Sequence, residues 1–172
     1  MSGKRRMERY GMKRRSQALG LLGWGVVTFA AAAVGAWASA SAASFYATLN
    51  LPAWAPPASV FGPVWSLLYA MMAIAAWLVW RERGWRSAQP ALVLYLVQLA
   101  VNALWSWLFF GWKLGALAFV DILILIALVC ATIVAFARLH RGAAVMLLPY
   151  LAWISFASAL NFAVWRANPG VL

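Results

Sequence analysis

Acidic residues are nearly absent: three Asp and Glu stand against fourteen Lys and Arg in 172 residues, a formal net charge of +11. Charged residues of both signs make up only 10% of the chain, where a soluble domain carries about 25%. With 66% of residues apolar, there is too little polar side chain to cover a globule in water. That excludes an ordinary cytosolic enzyme and a disordered tail. A single cysteine, Cys130, excludes a disulfide scaffold and a Cys-based zinc site, and reads as a packing residue. The single histidine, His140, falls in a basic turn and reads as a solvated loop residue. No metal site and no resident cofactor is expected.

What the chain has is long apolar runs. Hydrocarbon about 30 Å thick takes about 20 apolar residues per helix, and five segments reach that length: Ala18–Ala42, Val60–Trp80, Ala91–Phe110, Leu114–Ala137 and Ala143–Trp165. They lack the period-2 alternation of barrel strands. The connections Arg81–Pro90, Gly111–Lys113 and Arg138–Gly142 are short, so successive helices are antiparallel neighbours. The fold expected is an all-α integral membrane bundle of five transmembrane helices. Residues 1–17 form a basic cytoplasmic arm and 18–172 the membrane domain.

Basic residues mark the cytoplasmic side. With the N-terminus inside, twelve of the fourteen Lys and Arg fall inside, leaving Lys113 and Arg166 outside with the C-terminus. The same distribution excludes nucleic acid as a partner. The arm (Lys4, Arg5, Arg6, Arg9, Lys13, Arg14, Arg15) is also suited to anionic lipid. A basic start, an apolar run and Ala38-Ser39-Ala40 match a cleaved signal peptide as well. The first segment is nevertheless long enough to span, and its retention is expected.

One connection is long. Residues 43–59 carry Asn50-Leu51-Pro52 and Pro56-Pro57, which cannot continue a helix. Phe45, Tyr46, Leu49, Leu51 and Trp54 are too apolar for a solvated loop. Two readings fit: an interfacial stretch with aromatics at headgroup level, or a proline-rich lid between the first two spans, with Trp54 tucked beneath it.

Inside the third segment Gln98, Asn102, Trp105, Ser106 and Phe109 fall at offsets 0, 4, 7, 8 and 11, one helical face. Tyr150, Trp153, Ala157 and Asn161 share a face of the fifth segment, and Phe61, Trp65, Tyr69 and Met72 one of the second. Amides are costly toward lipid, so Gln98, Asn102 and Asn161 belong inside the bundle. Crossing directions bring Trp65, Asn102, Trp105 and Asn161 together in the outer half, with Trp153 near the middle. The set serves either as interhelical glue or as a site for a flat apolar ligand. Asp121, the one acid within a span, is neutral or hydrogen-bonded to an indole or amide, as part of a structural network or of a pocket edge. Of the twelve tryptophans, Trp80, Trp85 and Trp112 read as interface anchors.

These motifs are ordered along the chain: Phe45-Tyr46-x-x-Leu49-x-Leu51-Pro52-x-Trp54-x-Pro56-Pro57, then Phe61-Gly62-Pro63-Val64-Trp65, then Gln98-Leu99-x-x-Asn102-x-x-Trp105-Ser106, then Pro149-Tyr150-x-x-Trp153 with Leu160-Asn161. The pattern resembles the TspO/MBR family: tryptophan-rich sensory proteins and the translocator protein, or peripheral-type benzodiazepine receptor. The likeness covers about Leu21 to Arg166. It implies a five-helix bundle, homodimeric, that binds porphyrins such as protoporphyrin IX and haem, as well as sterols and synthetic ligands, under the first loop. It places Tyr46, Pro56, Trp65, Asn102, Trp105, Ser106, Trp153 and Ala157 in the pocket lining. In some members the tryptophans matching Trp65 and Trp153 are associated with light- and oxygen-dependent porphyrin breakdown.

Two positions depart from the family pattern. Phe162 stands where the sterol motif of the last helix has Tyr, which argues against sterol binding, and Phe45 stands where Trp is common. Three functions remain: a receptor or carrier for tetrapyrroles, a photo-oxidative enzyme acting on them, and a regulatory or assembly subunit of a membrane complex. The favoured one is a binding protein without an axial iron ligand, its polar edge held by Asn102 or Ser106. Gly111 and Gly115 have the small-xxx-small spacing of helix dimers but sit at a turn.

Overall fold

The computed structural model describes residues 2–172, with side chains from Ser16 onward. The basic side chains of the N-terminal arm therefore lie outside the described residues. The helices are α1 (Ser2–Ala38), α2 (Ala42–Ala47), α3 (Phe61–Ser106), α4 (Gly115–Ala137), α5 (Arg141–Met146) and α6 (Leu148–Ala167). Single turns precede and follow α3, a 3₁₀ turn at Ala58–Val60 and a π turn at Trp107–Gly111.

An apolar helix running unbroken over the 54 residues from Ala58 to Gly111 would be about 80 Å long, more than twice the hydrocarbon thickness. It is broken by Gly84, at φ 70° and ψ 170°, a region essentially closed to residues with a Cβ. The arms 61–83 and 85–106 fold back on each other, as the bond from Tyr69 to Asn102 requires. The chain thus makes five spans: α1, the two arms of α3, α4 and α6. Among the described residues there is no strand.

The expected break at Arg81–Pro90 shrinks to one residue. Arg81, Arg83 and Arg86 are exposed, so helix continues through them at no desolvation cost. Pro90 lies in the second turn of its arm, where the carbonyl it leaves unpaired belongs to exposed Arg86. In the last segment Pro149 has no N–H to give Val145, and the helix is interrupted there between α5 and α6.

Small residues let the helices approach. Gly20 lies under the Trp80 indole, and Gly35 faces Ser106 and Ala103. At the turn before α4, Gly115 is buried against Trp165 and Leu172, while Gly111 is exposed beside Trp107. Cys130, read as a packing residue, is exposed on α4, on the face that positions 123, 127, 130 and 134 share. His140 does more than a solvated loop residue. Its Nδ1 accepts the Ala143 N–H at 3.0 Å and caps α5, while Nε2 lies 3.9 Å from Glu82.

Candidate ligand site at the aromatic end of the bundle

A buried chain of side-chain hydrogen bonds crosses the bundle. The Tyr69 hydroxyl donates to Asn102 Oδ1 at 2.5 Å, Asn102 Nδ2 donates to the Tyr150 hydroxyl at 2.8 Å, and that hydroxyl donates to Gln98 Oε1 at 2.9 Å. Both arms of α3 and α6 are joined by it. The helical spacing put Gln98 and Asn102 on one face, and both reach the same tyrosine. Asn102, 4% exposed, has both its amide atoms engaged by protein.

Above this network lie the large rings. Trp65 packs on Tyr69 and edge-on to Tyr150, with centroids 5.6 and 6.2 Å away. Trp153 lies edge-on to Phe61 at 5.9 Å and beside Phe156 at 5.6 Å. Such tilted and edge arrangements suit the ring quadrupoles. The indole N–H of Trp153 is buried with no acceptor among the described residues. An unpaired buried donor costs about 1–3 kcal/mol, so its presence between aromatic walls calls for an explanation.

The other expected site residues divide. Ala157 is buried on the same side of α6. Trp105 is stacked on Phe109 at 5.4 Å, and its N–H donates to Asn161 Oδ1 at 3.0 Å; Asn161 in turn donates to the Gly115 carbonyl at 3.1 Å. Ser106 Oγ lies against Gly35 of α1. Asp121 is buried, and of its two expected states, neutral or hydrogen-bonded to an indole or amide, the second is not met at Oδ2, which has no partner among the described residues.

Residues 42–60 pack onto this end. Leu49 is buried with Leu108, Phe109, Leu160 and Val164. The Tyr46 hydroxyl donates to the Pro56 carbonyl at 3.2 Å, closing the segment on itself, and burial pushes that phenol above its ordinary pKa. Trp54 was expected beneath the segment. Instead it is 51% exposed, its ring edge against Phe156 at 5.8 Å, because it sits at a turn between Pro52 and Pro56 on the rim. Sequence reasoning did not single out Tyr69 and Tyr150 as network members or Asn168 as a partner of Asn50. Tyrosines on the inward faces were the available signal for the first two.

Five apolar spans around a buried polar thread, with Trp65 and Trp153 among further aromatic rings beside it, define a polytopic helical membrane protein with an aromatic-walled interior. Residues 24–166 match the model of the TspO/MBR family. The chain is 44% identical to the translocator protein of Homo sapiens over 128 residues, which cover 73% of this chain and 76% of that protein. It is 41% identical to the tryptophan-rich protein TspO of Chlorobaculum tepidum over 127 residues, covering 73% and 80%. To the tryptophan-rich sensory protein of Cereibacter sphaeroides it is 42% identical over 124 residues, covering 72% and 77%. The chain belongs to the TspO/MBR family.

Proposed function

We propose that the protein binds free-base porphyrins such as protoporphyrin IX, and flat apolar molecules of similar shape, between Trp65 and Trp153, for tetrapyrrole sensing or carriage. In this reading residues 42–60 are a lid. The observation that carries it is the buried, unpartnered N–H of Trp153 among Phe61, Phe156 and the rest of the aromatic wall. A broad π-face stacks on these rings, and a carboxylate or carbonyl at its edge satisfies the indole. Asn102, committed to Tyr69 and Tyr150, stiffens the floor, and Trp153 takes over the role of polar anchor. The names of the relatives, translocator and sensory protein, agree with carriage or sensing rather than with a named reaction.

We infer a cytoplasmic N-terminus and an outer lid from the basic residues alone, since five spans with the N-terminus inside would put twelve of the fourteen Lys and Arg on the cytoplasmic side. A homodimer rests on the family resemblance. Titration of protoporphyrin IX against tryptophan fluorescence in detergent tests the binding. Quenching in the wild type, lost in a Trp65→Phe, Trp153→Phe double variant, supports it; no quenching, or equal quenching in both, overturns it. Illumination in air separates binding from breakdown, since binding alone leaves the porphyrin absorbance intact.

A further inference from the structure

Asn168 caps the end of α6, 5% exposed, and its side chain does something a cap does not need. Its Oδ1 accepts the backbone N–H of Asn50 at 2.8 Å, and its Nδ2 donates to the backbone carbonyl of Asn50 at 3.1 Å. One amide thus pairs with both main-chain groups of a residue 118 positions away, as a neighbouring strand would. The amide is held in place from behind: Nδ2 also donates to the Val164 carbonyl at 2.7 Å, and the Asn168 carbonyl accepts from Val171 and Leu172.

On the other side the tie is singular. Among the described residues, every hydrogen bond from residues 47–57 to α3, α4 or α6 passes through Asn50. The remaining bonds, such as Ala55 N–H to the Pro52 carbonyl and Tyr46 to Pro56, stay within the segment. Next to the tie, Leu49 plugs the apolar cluster at the bundle end. Apolar contact is non-directional, so it permits sliding, whereas the paired amide defines one closed position.

We propose that Asn168 is a latch for residues 42–60, and that its release sets the rate at which ligand enters and leaves the aromatic interior. The second half rests on the porphyrin reading; the first does not. In a Cys130→Ala background in nanodiscs, the labelling rate of Leu49→Cys by a charged maleimide reports opening. Asn168→Ala speeds it about ten-fold, the factor that one to two neutral hydrogen bonds are worth. Leu92→Cys, fully buried in the main core, is unaffected, which separates opening from unfolding. Asn50→Ala keeps both backbone bonds to Asn168, gives up only the long 3.4 Å bond from its own Nδ2 to the exposed Ala167 carbonyl, and labels within about two-fold of the parent.

Unchanged labelling in Asn168→Ala, equal acceleration at Leu92→Cys, or opening by Asn50→Ala as large as that by Asn168→Ala overturns the latch. Protoporphyrin IX dissociation accelerates in Asn168→Ala by the same factor as labelling. A dissociation rate that stays put while labelling rises overturns the exchange role. If wild type never binds the porphyrin but labelling responds, the latch stands and the porphyrin reading falls.

Discussion

Trp105 and Asn161 meet inside the bundle: the indole N–H of the one donates to the side-chain carbonyl of the other at 3.0 Å. Because Asn161 also donates to the Gly115 carbonyl, one amide joins α3, α6 and the start of α4. Asn161→Leu fills similar space and orphans both partners. Its expected cost is about 1–2 kcal/mol, the upper range for interhelical bonds in membrane bundles, read as a lower thermal midpoint in detergent. A midpoint equal to the wild type sinks the assignment.

Tyr150 stands mid-chain in the polar thread and Tyr69 at its end. Tyr150→Phe leaves Asn102 Nδ2 and Gln98 Oε1 without partners, whereas Tyr69→Phe leaves only Asn102 Oδ1. The first is therefore expected to lower stability about twice as much as the second, roughly 1–2 against 0.5–1 kcal/mol. The reverse order, in matched unfolding titrations, contradicts the thread.

Midway along α1 and the second arm of α3, Thr28 and Tyr95 share a buried hydrogen bond of 2.7 Å. Each single variant, Thr28→Val or Tyr95→Phe, strands a polar oxygen; the double variant strands none. Removing both partners is nearly neutral where removing one is not. The double variant is expected to be more stable than either single one, and simple additivity would show that the bond contributes nothing.

Trp153→Phe separates fold from ligand. It removes a buried donor that has no protein partner, so the stability of the empty protein holds or rises slightly. Porphyrin affinity falls about five- to ten-fold, the worth of one hydrogen bond to a polar edge. A variant that loses stability but not affinity assigns Trp153 to packing alone.

The five spans were legible because length and hydropathy are local properties, and the inward faces of the α3 and α6 segments followed from spacing. Which inward residues bond to which was not. The partners of Tyr150 lie 48 and 52 positions away, and nothing local encodes the order of helices around the bundle. Ser106 shows the limit of a helical wheel. It lies one residue from Trp105, and that step turns it onto α1. Asn168 escaped notice because it follows the last apolar run, where no periodicity constrains a loop. The turn at Gly84 was expected nearby on the evidence of charge and Pro90, yet its single-residue economy depends on a backbone angle that composition does not report.

That angle settles a question of parity. A side chain at position 84 is strained at φ 70°, and straightening α3 would remove one crossing. An odd number of crossings leaves the chain's two ends on opposite sides of the membrane, and an even number returns them to the same side. The address of α4, α5 and α6, and with them the side on which Asn168 can meet Asn50, is therefore set by one missing Cβ.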